Sequence, residues 1–184
     1  NSSGFNLPAD LSVSILVGTY DRPDNLARCL ESLCNQQTHR TLEIIVVDNH
    51  PASGLTAPVV AAFPGVRLIA ESRQGVAYAR NAGIRASQGQ IIVTTDDDIY
   101  APPDWLEKLI APLTQNEVAA VTGNVLPAEM ETAAQLLFEQ YGGLGRGYQR
   151  KKVDRQWFQK FRLRAVPTWE LGGTANAAFR AYLF

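Results

Sequence analysis

Four short apolar runs punctuate the first half of the chain, at residues 11–17, 43–47, 66–69 and 90–95. Each is rich in β-branched residues and too short for a helix, which is the pattern of strands buried on both faces in a parallel sheet. Between the runs, apolar positions recur at intervals of three and four. The first such helix opens at Pro23, where a missing N–H costs nothing, and continues through Leu26, Leu30 and Leu33. A second helix is expected over 56–63 and a third over 75–87. A fourth starts at Pro103 and carries Trp105, Leu106, Leu109 and Ile110. Strand and helix in alternation predict an α/β fold, a Rossmann-like three-layer sandwich around a mainly parallel central sheet. After residue 115 the rhythm changes. A strand is expected near 118–122 and a helix near 129–140, followed by a glycine-rich, basic excursion over 141–165.

At 184 residues, one domain is the expectation, with a sizeable core. The 17 basic and 18 acidic residues leave a net charge of -1, so no global field recruits nucleic acid, and none is expected as a partner. Charge is instead concentrated locally. Eight of the 17 basic residues (Arg146, Arg150, Lys151, Lys152, Arg155, Lys160, Arg162 and Arg164) fall in the excursion against one acid, Asp154, interleaved with Tyr148, Trp157, Phe158 and Phe161. A peripheral contact with a membrane face carrying a lipid-linked acceptor is one reading of that mixture. The other is an ordinary loop whose aromatic rings pack on the domain.

Cys29 and Cys34 are five positions apart in the first helix, off a common face. No bridge is expected, and both read as small buried apolar residues in a reducing compartment. No apolar run reaches membrane-spanning length and no signal peptide is evident, so the expected location is cytoplasmic, with the cytoplasmic membrane face as its extension.

Ligands of open α/β sheets bind beyond the carboxyl ends of the strands. Three of those ends carry carboxylates here: the first leads to Asp21, the second to Asp48, and the fourth into Asp96, Asp97 and Asp98. Adjacent carboxylates at partial exposure repel by on the order of 1 kcal/mol per close pair, which a hard divalent cation offsets. The triplet is therefore a candidate Mn²⁺ or Mg²⁺ site completed by substrate phosphates. The alternative has one carboxylate capping the helix that follows Pro102 and Pro103 while its neighbours are solvated. Asp48 suits a hydrogen bond to a base or ribose, or else a turn with Asn49. Asp21 is read as a helix cap. In the third helix Gly75, Ala79, Ala82, Gly83 and Ala86 form a small-residue stripe suited to close approach. Arg73 and Arg80 are candidates for a diphosphate or base contact.

Taken together, VSILVGTYDRPDNLARCLESL, EIIVVDNHP, GVAYARNAGIRASQGQIIVTTDDDIYAPPDWL and GGTANAAFR resemble, in order and spacing, the family-2 inverting glycosyltransferases of the GT-A fold. The resemblance implies a GT-A-like nucleotide-sugar-binding domain over residues 1–184. Thr19 and Tyr20 match the loop that packs on the nucleotide, Asp48 the base-reading acid, and Asp96 to Asp98 the DxD-type motif. In that motif Asp96 and Asp97 lie on the nucleotide-sugar side, and Asp98, with Asp96, holds the metal, Asp97 being its competitor for that role. Gly173, Thr174 and Asn176 match the acceptor side. The implied donor is a nucleoside-diphosphate sugar, a UDP-sugar foremost, and the implied acceptor a saccharide or lipid-linked hydroxyl, glycosylated with inversion and metal-assisted departure of the diphosphate. The family's base lies downstream of the GGTANAAFR-like segment. Its match would fall beyond Phe184, because Glu129, Glu131 and Glu170 do not occupy that position, so the expectation is a donor-binding piece that is catalytically incomplete. A binding module without turnover and a receiver-like phosphoacceptor domain are the rival readings.

Overall fold

The computed structural model describes residues 11–145 and 147–184. Arg146, one of the eight basic residues of the excursion, lies outside them. A single six-stranded sheet runs in the order β3-β2-β1-β4-β6-β5. Its strands are β1 (Val13–Thr19), β2 (Leu42–Asp48), β3 (Val66–Ala70), β4 (Ile91–Asp96), β5 (Ala120–Thr122) and β6 (Asn176–Arg180). The first four are mutually parallel. β6 is antiparallel to both β4 and β5. β6 was not anticipated: within the GGTANAAFR-like segment, Asn176–Arg180 forms an interior strand that joins β5 to the parallel set.

Alternation along the strands decides which helix covers which face. Val13, Ile15 and Val17 of β1, Ile44 and Val46 of β2, and Ile91 and Val93 of β4 point to one side, where they pack with α1 (Pro23–Cys34), α2 (Thr56–Ala61) and α4 (Trp105–Ile110). Leu16, Ile45, Val47 and Ile92 point to the other side, covered by α3 (Val76–Ala86) through Ala79 and Ala82. The two-sided cover follows from topology. The chain steps outward from β1 to β3 and then returns across the sheet to β4, and right-handed crossovers in opposite directions place their helices on opposite faces. The reversal leaves a crevice between β1 and β4, at the carboxyl ends of both.

In α1, Leu26, Cys29, Leu30 and Leu33 are fully buried. Cys34, a further turn along at the helix end, is exposed, which corrects the expectation that both thiols are buried. Both are free. The α3 stripe is used as expected. A Cβ on Gly83 would stand 3.2 Å from Val47 Cγ2 and 3.3 Å from Leu16 Cδ1, so a side chain there would push both aside by a few tenths of an ångström, and glycine suits this close approach of helix to sheet.

The second half departs more from the sequence pattern. α5 covers Ala133–Gln140 rather than beginning at 129, because Thr132 and Gln135 form a reciprocal capping box that fixes its start. The basic excursion, expected to be irregular, contains a short α6 (Arg155–Gln159) capped by Asp154, whose side chain accepts from the Trp157 N–H. α4 begins at Trp105, after Asp104, rather than at Pro103. No described helix is long and apolar enough to cross a membrane.

Candidate functional site

Strand register assembles the site. Thr19 pairs with Asp48 across β1 and β2, and Gly18 pairs with Asp96 across β1 and β4. Three segments remote in sequence therefore end at one level, and Thr19 stands beside Asp97. The Thr19 hydroxyl donates to Asp97 Oδ2 at 2.6 Å, a buried bond. Arg22, on the loop leaving β1, reaches Asp97 at 3.4 Å and Asp98 at 3.1 Å. Arg80 comes up from α3 to Asp96 Oδ1 at 3.0 Å.

The three carboxylates thus stand in different environments. The Asp97 side chain is 7% exposed, whereas those of Asp96 and Asp98 are 44% and 49% exposed. Burial raises Asp97 above the usual carboxylate range, opposed by the Thr19 hydrogen bond and the Arg22 charge and reinforced by Asp98 and Asp96. Beneath the triplet, Cys29 lies 3.5 Å from the Asp96 carbonyl oxygen. Burial, followed by the Asp97 and Asp98 charges, pushes its thiol up to about 12, so it is an inert packing group rather than a nucleophile.

The segment after the triplet is held from α1 and its C-terminal turn. The Ser32 hydroxyl accepts from the Ala101 N–H, the Gln36 amide donates to the Pro102 carbonyl, and Gln36 Oε1 accepts from the Leu106 N–H. None of the three aspartates supplies an observed side-chain cap to α4, whose N-cap residue is Asp104. The capping alternative for the triplet therefore finds no support in the geometry.

Asp48 is 3% exposed and its Oδ1 accepts from the His50 N–H at 2.9 Å, an Asx turn. The adjacent Asn49 does more. Its buried amide donates to the carbonyls of Glu71 at 2.9 Å and Arg73 at 2.7 Å, and its oxygen accepts from the Gly75 N–H at 2.8 Å. One side chain thereby ties the loop after β3 to the loop after β2. Gly75, at φ 134°, makes the bend that starts α3.

Asp21 is not a helix cap, contrary to expectation. The N-cap residue of α1 is Arg22, with no side-chain cap, and Asp21 adopts φ 52°, turning its carboxylate to His50 Nδ1 at 2.6 Å. Hydrogen bonds from Ser53 and then His50 hold that carboxyl below its usual range. Tyr20 stacks on the His50 ring, with centroids 5.0 Å apart and planes 9° from parallel, and its hydroxyl accepts from Gln74. An aromatic ledge thus borders the crevice. Arg22, Asn49, His50 and Gln74 escaped the sequence reading. The one available signal was their place at the ends of β1, β2 and β3, where loops face the ligand side.

Arg73 is engaged within its own loop. Its guanidinium forks onto Glu71, with Nε to Oε1 at 2.9 Å and Nη2 to Oε2 at 2.6 Å, and it lies 4.8 Å from the centroid of the Tyr78 ring. The Arg73 bonds hold Glu71 down to about 2. A carboxylate depressed in this way favours the fold above its unfolded pKa and loses that contribution as pH falls toward 2. The Glu71 side-chain carboxyl carbon should accordingly titrate near 2 by NMR, and Arg73→Met should return it toward about 4.3. An unmoved midpoint would contradict the pairing.

Gly173, Thr174 and Asn176 lie along the other side of β4. Thr95 pairs with Asn176, and the hydroxyls of Thr94 and Thr95 donate to the carbonyls of Thr174 and Ala175 at 2.7 and 2.9 Å. The preceding residues therefore run beside the exit of β4, next to the triplet. The Asn176 side chain accepts from Trp105 Nε1 at 3.0 Å and donates to the Asn124 carbonyl at 2.8 Å. Gly123 leaves room for it, since any Cβ there would collide with the Asn176 amide.

No group of three or more His, Cys, Asp or Glu side chains among the described residues is placed to hold a metal ion by itself. The donor set fits a more open site. Asp96 and Asp98 offer hard, half-exposed carboxylates, and Mg²⁺ or Mn²⁺ is commonly held by one or two such groups with phosphate oxygens and water completing the shell. Arg22 and Arg80 supply compensating positive charge at the same carboxylates.

Among curated proteins, the chain is 30% identical over 149 residues to an uncharacterized glycosyltransferase of Haemophilus influenzae, covering 72% of this chain and 50% of that one. It is also 30% identical over 118 residues to the glycosyltransferase AglE of Haloferax volcanii, covering 61% of this chain and 39% of that protein. The chain spans half or less of the length of both. Among solved structures, it superposes on the mannosyltransferase PcManGT of Pyrobaculum calidifontis, in complex with GDP-Man and Mn²⁺, with a TM-score of 0.61 at 22% identity, covering 93% of this chain and 45% of that one. S. aureus TarS 1-349 in complex with UDP gives 0.63 at 17% identity, covering 94% of this chain and 48% of that one. These likenesses establish the GT-A fold. The family model for glycosyl transferase family 2 matches residues 14–181, from the first strand through β6, and the chain belongs to that family.

Proposed function

We propose that this chain is the donor-binding part of an enzyme that transfers a sugar from a nucleoside diphosphate to a hydroxyl acceptor with inversion at the anomeric carbon. The observation that carries this reading is the register that sets Thr19, Asp48 and Asp96 to Asp98 at one level around the β1/β4 crevice, within a chain of this family. Structural neighbours solved in complex with GDP-Man and Mn²⁺ and with UDP add support for a nucleotide-linked donor.

Each residue has a defined part. The Tyr20 and His50 rings and buried Asp48 border the end of the crevice that would take the base and ribose. Asp98, with Asp96, would hold Mn²⁺ or Mg²⁺ against the diphosphate. When bound there, such an ion would neutralise charge growing on the leaving phosphate. Asp97 is a positioning residue: bonded to Thr19 and Arg22, it fixes the loop from which Asp96 and Asp98 project. Arg80 and Arg22 stand at the rim, where diphosphate oxygens could exchange with the carboxylates as partners for their guanidinium groups. The segment containing Gly173 and Thr174, on the far side of β4, is assigned to the sugar and acceptor.

A receiver-like phosphoacceptor fold is disfavoured by strand order. Those domains run 2-1-3-4-5, whereas β1 here is flanked by β2 and β4 and the sheet ends in an antiparallel pair.

Calorimetric titration of UDP, GDP and TDP, each with and without Mn²⁺, tests the reading. Tighter binding of at least one diphosphate in the presence of Mn²⁺ is expected. Binding indifferent to the metal, or absent for all three, would refute it.

A further inference from the structure

We propose that residues 147–164 form a docking surface for an anionic lipid bilayer. The surface lies outside the donor loops, and the inference stands whether or not the donor reading does.

The described part of the excursion carries seven basic side chains, from Arg150 to Arg164, against the single acid Asp154. That acid is occupied at the N-cap of α6, where it accepts from the Trp157 N–H at 2.9 Å. Lys152 reaches Glu117 at 3.6 Å, a loose pair between exposed side chains. The excursion is thus strongly positive on a chain whose net charge is -1.

Apolar groups project from the same stretch. Leu163 is fully exposed, Tyr148 is 88% exposed and Phe158 46%. Of the four aromatic rings, Tyr148 and Phe158 are exposed rather than packed on the domain, while Trp157 and Phe161 are partly buried. Trp157 packs edge-on to Phe158 and against Phe161 at centroid distances of 5.0 and 4.7 Å, and Arg164 lies over Phe161. α6 buries none of its residues. α5 buries none either, leaving Leu136, Leu137 and Phe138 about half exposed, with Phe138 and Leu144 lining an apolar cavity of ≈ 160 Å³.

Both halves of this arrangement match one partner. Clustered Lys and Arg are attracted to anionic headgroups, and interleaved Trp, Tyr, Phe and Leu settle at the boundary between headgroup and acyl chain. A polynucleotide would satisfy the cations and could stack on the rings, but it offers nothing to an exposed aliphatic side chain such as Leu163.

Co-sedimentation of the chain with vesicles of phosphatidylcholine, alone or mixed with phosphatidylglycerol, tests the proposal. Binding to the mixed vesicles only is expected, with release in about 0.5 M NaCl, where screening is nearly complete. The triple variant Arg150→Glu, Lys151→Glu, Lys152→Glu should lose at least tenfold in affinity, and Leu163→Ser several-fold, both with an unchanged unfolding transition. Equal binding to pure phosphatidylcholine, no binding to either vesicle, retention by the folded triple variant, or tighter binding to a single-stranded oligonucleotide than to the mixed vesicles would overturn it. The salt release of the parent chain gives the same reading without any variant.

Discussion

Asp98→Ala is expected to weaken Mn²⁺-dependent binding of a nucleoside diphosphate by on the order of 100-fold or more, because outer-shell changes at metal sites already cost 10- to 100-fold and this change removes a ligand outright. Stability should hardly move. The Asp98 side chain is 49% exposed and its partner Arg22 is 55% exposed, and exposed pairs of this kind contribute about 0–1 kcal/mol. Removing one of three crowded carboxylates also relieves repulsion. Asp97→Ala behaves differently. It leaves the buried Thr19 hydroxyl without its acceptor and removes one of the two carboxylates that hold Arg22, so both folding and binding should suffer. Titration with and without Mn²⁺, run beside urea unfolding, separates the two. If Asp98→Ala retains full metal-dependent affinity, Asp98 does not hold the cation.

Asn49→Ala carries the largest expected loss of stability, about 3 kcal/mol. The side chain is 5% exposed and satisfies three backbone groups at once, the carbonyls of Glu71 and Arg73 and the N–H of Gly75. A buried polar group left without a partner costs about 1–3 kcal/mol, and water recovers part of the total because the loop edge is accessible. The damage should also be directional. The Asn49 side chain links the β2 exit to the 71–75 loop at three points, so its loss should loosen Gln74 from Tyr20 and weaken nucleotide binding even in molecules that remain folded. Urea midpoints give the first effect, and hydrogen exchange at the Gly75 amide gives the second. A loss below about 1 kcal/mol, the net value of an ordinary single hydrogen bond, would show that the network is not cooperative.

Legibility in the sequence followed the range of the forces involved. β1 to β4 and α1 to α3 were readable because burial on a sheet or helix face imposes a period on the residues themselves, as in Val13, Ile15 and Val17 against Leu26, Leu30 and Leu33. β6 was not, since Asn176–Arg180 mixes polar and small residues and becomes a strand through pairing with β4 and β5. Asp21 misled for a related reason. Its position before Pro23 fits a cap, yet the turn takes φ 52° and directs the carboxylate to a histidine 29 residues away.

By itself, the sequence determined that the chain is an α/β sandwich whose carboxylates gather at strand ends, because periodicity and composition are local properties that any window of residues reveals. Only the tertiary structure decided that Asp97 turns inward to Thr19 while Asp96 and Asp98 stay open beside Arg80 and Arg22. Three identical adjacent residues carry no sequence distinction. Their difference comes from the turn that follows β4, which carries Asp97 inward to Thr19 and leaves Asp96 beside Arg80 and Asp98 beside Arg22 at the surface.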